Sequence, residues 1–386
     1  MLTLGHDLKT HQPVTLDASR ARVLCVCGKR GSGKSYTLGV LAEELFQQQP
    51  APCVLIVDPV GIFWTMAQSA DASGHGLPVQ LLVPGEPTTA YPPPLLEHFQ
   101  RLGITVERIT LRPSDLSPDA WCEFFALSVN EPLGIAMARA VQSLTDVVTG
   151  FDLGDLEDAV QHDPLAQDRT KEALLNRLSM AKSWKLFDAQ SADLTQRLTP
   201  DRLFVLDCSI LDYGTHGLRS LVLAMVARNL FTAYHAARQQ ALPPKILVGG
   251  QAVVTDSPRT PLWLLIDEAH QFIPQGSSTL AKDALIRWVK EGRQPGLSCI
   301  LASQQPGSLD QDVLSQCDAL IAHKLTNLED LQAANRLSQA YMGSELKVYL
   351  RHLKGPGQAV LVDDARERVA MLQVRLRLTR HGGGEL

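Results

Sequence analysis

The chain has 386 residues, 45% of them apolar, with 36 basic and 41 acidic side chains for a net charge of −5. That length and apolar content fill one large core or two modest ones and exclude a fibrous or disordered chain. A slightly acidic whole confines any nucleic-acid surface to a local patch or an assembled pore.

The N-terminus, MLTLGHDLKTHQPV, has no apolar leader, and no uncharged apolar run approaches the roughly 18 residues of a membrane helix, so a soluble, cytoplasmic protein without a membrane anchor is expected. Seven cysteines lie scattered, mostly in apolar runs (Cys25, Cys27, Cys53, Cys299), with no C-x-x-C pair and no zinc-like spacing; they read as reduced core thiols.

In chain order, strand-like apolar runs occur at 22–27, 53–58, 203–207, 262–266 and 298–303, and helical patterns separate them at 34–47, 219–240 and 279–292. Nearly continuous apolar runs suit parallel strands covered on both faces, so the alternation predicts a doubly wound α/β domain with its site at the carboxyl ends of the strands. About 140 residues part the second and third runs, longer than an ordinary crossover. Helical patterns at 118–148, 154–161, 168–182 and 191–198 fill much of that gap. The expected division is therefore residues 1–110 for the first part of the core, 111–200 for a helical insertion and 201–386 for the rest of the core and a tail. Two short β-like segments close the chain, followed by Arg375, Arg377, Arg380 and a glycine run, which reads either as a solvated, frayed end or as a tail packing on a neighbouring subunit.

The first run, Val23 to Cys27, leads straight into a glycine-rich turn and then a helix. Gly28, Gly33, Lys34 and Ser35 satisfy G-x-x-x-x-G-K-[ST], in which backbone amides and a helix N-terminus cradle phosphates. Gly31 and Ser32 give the tight approach, Lys34 neutralises the β- and γ-phosphates of ATP, Ser35 ligates Mg2+, and Tyr36, in the first turn of the helix, is counted with them as nucleotide-binding. PLWLLIDEAHQFIP supplies an apolar strand ending in acids: Asp267 steadies the magnesium shell and Glu268 polarises the attacking water, unless the pair only caps the next helix. Gln304, after the last run, is placed to sense the γ-phosphate, or is a plain turn residue before a proline. Asp58 ends the second run facing the same cleft and suits a turn cap equally well.

These residues resemble a known family. GKRGSGKSYTLGVLAEEL, IVDPVGIF, LLIDEAHQFIP, KEGRQPGLSCILASQQPGSLDQDVLSQCDALI and RLTRHGG look like the ATPase core of the HerA branch of the HerA/FtsK superfamily, over roughly residues 20–381. The resemblance implies a RecA-like P-loop NTPase fold with a mostly parallel sheet and a helical insertion. It also implies a hexameric ring that moves double-stranded DNA, working with a NurA-type nuclease in DNA-end processing or with another effector protein in antiviral systems. Family members commonly carry a small β-barrel before this core, whereas 27 residues precede Gly28 here.

The resemblance further implies arginines acting across a subunit boundary. Arg22 begins the first strand, about 20 Å from its own phosphate loop at about 3.3 Å per residue, and Arg293 is likewise far from Gln304, so either would serve a neighbour's site. A two-lobed DEAH helicase is excluded, because only about 80 residues follow Gln304 and no second lobe fits. A metabolite kinase leaves E-G-R, S-Q-x-P and the tail unexplained. A ring-shaped ATPase scaffold regulating an effector enzyme stays open beside the motor. Lys282, Arg287 and Lys290 form a basic helix face that reads as solvated surface.

Overall fold

In the computed structural model, residues 1–71, 74–211, 217–241, 259–338 and 346–383 are described, so the last three residues of the chain, Gly384 to Leu386, lie outside them. Among the described residues, twelve strands form one sheet. They are β1 Leu2–Asp7, β2 Pro13–Leu16, β3 Val23–Cys27, β4 Cys53–Asp58, β5 Val79–Pro84, β6 Thr105–Ile109, β7 Leu203–Asp207, β8 Leu262–Ile266, β9 Leu297–Ser303, β10 Ala319–Ala322, β11 Gln358–Asp363 and β12 Arg368–Val374. The order is β2-β1-β12-β11-β10-β3-β9-β8-β4-β7-β5-β6. The strands from β10 to β6 pair in parallel, and β11, β12, β1 and β2 continue the sheet as an antiparallel extension.

The parallel centre is buried on both faces, as its apolar runs require. Every residue of β3, β4, β7, β8 and β9 is buried. Side chains alternate between two cores: Val23, Cys25 and Cys27 enter one, Leu24 and Val26 the other. Helix 34–46 and helix 93–101 supply residues to the second core, while helices 218–241 and 280–291 supply the first.

Between β6 and β7 the chain is helical, with helices Pro118–Phe124, Pro132–Thr145, Leu153–Gln161 and Asp168–Ser183. Ser117 caps the first by accepting the Ala120 N–H, and Asp152 with Asp155 makes a reciprocal capping box on the third. Trp121 stacks on Phe125 and Phe187, which ties these helices to the core under β7. The long gap also holds β5 and β6, which join the sheet beside β7. Its 140 residues are therefore a sheet edge followed by helices.

Through residue 383 the tail is not a frayed end. It crosses helix 34–46 of its own chain. Glu43 is fully buried there, accepting from Arg375 Nη1 at 2.7 Å, Thr379 N at 2.9 Å and Thr379 Oγ1 at 2.6 Å. The Arg377 guanidinium lies so close over Gly39 that a Cβ there would sit 2.5 Å from its Cζ. Among the described residues, no helix is long and apolar enough to cross a membrane.

Candidate functional site

The carboxyl ends of β3, β8 and β9 converge on one edge because these strands pair in register, Cys27 with Ser303 and Ile266 with Leu301. The turn after β3 wraps tightly. A Cβ on Gly28 would meet Ser32 Oγ at 2.4 Å and the His323 Cβ at 2.6 Å, so glycine is required. Gly33 caps helix 34–46 with φ of 109° and no side-chain acceptor, which leaves the amides of the first turn for a ligand.

Two features of this turn fit a polyphosphate. Ser32 Oγ is buried without a hydrogen-bond partner. Lys34 is 5% exposed, and no ion pair within 4.0 Å reaches its ammonium among the described residues. Burial pulls its pKa down, while Glu268 and Asp267 push it back up. A buried cation beside unpaired donors is the arrangement that an anion completes.

Ser35 Oγ donates to Asp267 Oδ2 at 2.8 Å, joining the helix start to the end of β8. Burial first, then Glu268, pushes the Asp267 carboxyl up to about 6, against the Ser35 bond that lowers it. A hydroxyl and one carboxylate form the partial oxygen set that magnesium takes when phosphates and water supply the remainder. Glu268 follows in the left-handed region, φ 46° and ψ 45°, a conformation costing roughly 1–3 kcal/mol for a non-glycine residue. Its Oε1 accepts from Gln304 Nε2, whereas its Oε2 is buried without a hydrogen bond. Lys34, Ser35, Asp267, Glu268 and Gln304 are thus brought together at one edge.

Other residues expected here are placed differently. Asp58 Oδ1 accepts from Val60 N at 3.1 Å and Gly61 N at 2.7 Å, and its Oδ2 from Phe63 N at 2.7 Å, so both oxygens are engaged by the turn after β4. Burial and the neighbouring Asp207 push that carboxyl up to about 7. The Tyr36 hydroxyl accepts from Arg377 N at 2.7 Å, and its ring packs edge-on against His381. Tyr36 faces the tail. Gly31, with φ of 73°, keeps open space around it.

The two arginines part company. Arg22 is buried and turned inward: Nη2 donates to Asp363 Oδ1 at 2.6 Å and Nη1 to the Asp17 carbonyl at 3.2 Å. Its guanidinium is a tie between β3 and the antiparallel extension, and it is not presented at a surface. Arg293 is exposed and makes no ion pair among the described residues. It lines an open cleft of about 530 Å³ with Arg238 and Lys290. The seven-residue β9 separates it from Gln304. The basic helix face is largely paired, Lys282 with Asp310, Lys290 with Asp312 and Arg287 with Glu291.

The sequence reading missed His323. At the end of β10 it is wholly buried against the phosphate loop, its Nε2 2.9 Å from Thr37 Oγ1 and its Nδ1 3.0 Å from the Gln358 carbonyl. The carbonyl fixes the proton on Nδ1, so Nε2 accepts from Thr37. Burial pushes its pKa down to about 4. Only the short apolar run LIAH marked it.

A family model described as "Helicase HerA, central domain" matches residues 2–227. A probable helicase of Methanocaldococcus jannaschii is 33% identical over 126 residues, 33% of this chain and 24% of that protein. The DNA double-strand break repair helicase HerA of Pyrococcus furiosus is 31% identical over 118 residues, 30% of this chain and 20% of that protein. The matches thus span about a quarter or less of those relatives' lengths. Among solved structures, VirB4 of Thermoanaerobacter pseudethanolicus superposes with a TM-score of 0.60 at 16% identity, over 97% of this chain and 96% of that one. The bacterial conjugative coupling protein TrwB gives 0.54 at 14% identity, over 96% and 88%. Those two likenesses are of fold alone. With a phosphate loop, an acid pair and a glutamine on one edge of a mostly parallel sheet, and a family match over more than half its length, the chain belongs to the HerA helicase family of ATPases.

Proposed function

We propose that the chain hydrolyses ATP with magnesium and uses the energy to move double-stranded DNA through a closed ring of identical subunits, a hexamer. The observation that carries the reading is the joined set at one sheet edge: Ser35 bonded to Asp267, and Glu268 bonded to Gln304, beside the buried Lys34. Lys34 and the free amides of the loop hold the phosphates. Ser35 and Asp267 would hold magnesium, which when bound neutralises charge on the β- and γ-phosphates. Glu268 orients the attacking water and takes its proton, and Gln304 leaves Glu268 to meet the γ-phosphate.

Among the described residues no arginine hydrogen-bonds or ion-pairs with this set. Arg293, exposed and unpaired at the far end of β9, supports an arginine finger offered to the neighbour's site. A heterologous interface repeated around an axis closes into a ring, and the ring supplies a channel for DNA. The names of the relatives support the DNA substrate and a setting in double-strand break repair, and the family resemblance adds a NurA-type nuclease as the proposed partner.

Glu268→Gln tests the chemistry: it should bind ATP and fail to turn it over. Hydrolysis by Glu268→Gln at the wild-type rate would overturn the assignment. Duplex DNA should stimulate hydrolysis, and binding should weaken steeply with salt, because a channel reading no sequence contacts phosphates. Hydrolysis that ignores DNA and responds only to a partner protein would point to the effector-regulating scaffold instead.

A further inference from the structure

The last residue of β9 and the residue after it reach one carboxylate by two routes. Gln304 donates directly to Oε1 of Glu268. Ser303, fully buried, lies with Oγ 3.3 Å from Nδ1 of His270, and that nitrogen is 3.4 Å from Oε2 of Glu268. We propose that His270 is a positioning residue for Glu268, fixing the free oxygen of the carboxylate that orients the attacking water. The inference rests on the hydrolytic role given to Glu268 above.

Glu268 sits in the left-handed region at a strand end, so neither a helix nor a strand sets its side-chain direction. A carboxylate held at one oxygen pivots about that contact. Gln304 holds Oε1, and the imidazole beside Oε2 is the group left to stop the pivot. Ser303 steadies the imidazole in turn. With its hydrogen on Nδ1 the imidazole donates to Ser303 Oγ, which also accepts from Gln305 N at 3.1 Å, and the same N–H edge faces Oε2 of Glu268 at 3.4 Å. The constraint matters most when ATP draws Gln304 to the γ-phosphate, because Oε1 then loses its donor while His270 stays.

The short turn does not need His270 to hold its shape. Gln271 N donates to the Glu268 carbonyl at 2.9 Å, and Phe272 N to the Ala269 carbonyl at 3.0 Å. The side chain is 22% exposed and plugs no core. His270 therefore acts on turnover and leaves nucleotide binding alone.

The experiment compares wild type, His270→Ala, His270→Asn and Ser303→Ala in the full chain, reading kcat, KM and the affinity for a fluorescent ATP analogue. His270→Ala should lower kcat by roughly 10- to 100-fold, the effect of a misplaced reacting group, with analogue affinity within about twofold of wild type. His270→Asn, whose amide nitrogen replaces Nδ1, should recover part of the loss, and Ser303→Ala should fall between wild type and His270→Ala. A kcat within twofold of wild type for His270→Ala overturns the proposal. So does a parallel loss of analogue affinity that asparagine does not mend, since His270 would then merely support the fold. Failure of the underlying reading shows separately, as Glu268→Gln turning over ATP at the wild-type rate.

Discussion

Glu43 and Glu268 are both withdrawn from solvent, yet they are furnished in opposite ways. Glu43, in helix 34–46, accepts from Arg375, Leu378 and Thr379, so its carboxylate is fully engaged by the tail. Glu268 keeps one oxygen buried and unbonded, in a strained backbone, beside a lysine with no ion partner within 4.0 Å. A buried polar group left incomplete costs stability and persists where a ligand completes it. The tail region is built for the fold, and the sheet edge for something that arrives.

Breaking each side should give different readouts. The largest effect belongs to Lys34→Ala, which should abolish hydrolysis, a loss of more than about 10³-fold, by removing phosphate binding. Its unfolding midpoint in denaturant should not fall, because no ion pair within 4.0 Å holds the ammonium among the described residues. A midpoint well below wild type would place Lys34 on the structural side.

Glu43→Ala should do the reverse, destabilising the chain by about 3–5 kcal/mol by stranding buried cationic partners. Denaturant unfolding measures it, with hydrolysis per folded molecule retained at temperatures where the variant is folded. A loss under about 1 kcal/mol would mean that the tail is held by other contacts.

The arginines sharpen the same contrast. Arg22→Ala should cost about 3 kcal/mol, because it leaves Asp363 buried and uncompensated, while Arg293→Ala should stay within about 0.5 kcal/mol of wild type. Hydrolysis should respond in the opposite order. When Arg293→Ala and Lys34→Ala subunits exchange in equal amounts, about a quarter of the interfaces in a head-to-tail ring pair an intact loop with an intact arginine. Activity should return toward that fraction. No recovery despite proven mixing would remove Arg293 from the trans role.

The smallest effect concerns His323. Its folded pKa of about 4 lies below the ordinary 6.5, so the neutral form favours the fold above pH 6.5 and that stability is lost as pH falls toward 4. The loss attributable to it should reach about 1.4 kcal/mol at pH 5.5. Comparing wild type with His323→Asn at pH 7.5 and 5.5 isolates the contribution. Equal acid sensitivity in the two would show that His323 is not the titrating group.

The motif residues were legible because local spacing carries their chemistry: a glycine turn between a strand and a helix, and acids closing an apolar strand, announce themselves in a few residues. The same locality explains the omissions. β5 and β6 lay hidden because six-residue runs such as VQLLVP look alike in a buried strand and a helix, and only pairing with β7 decides between them. Asp58 could not be told from a nucleotide contact, because the donors that occupy it depend on how the following turn folds back.

Sequence by itself determined the alternation of strands and helices, the phosphate loop, the acid pair and the family resemblance, all of which rest on periodicity and contiguous spacing. Tertiary structure alone decided partners distant in the chain. It turned Arg377 and Thr379 inward onto Glu43, more than 300 residues away, buried Arg22 against Asp363, set His323 under the loop and brought Ser303 to His270. Each of these is a polar group whose burial is tolerable only with a partner, and no local pattern names that partner because the sheet order brings it there.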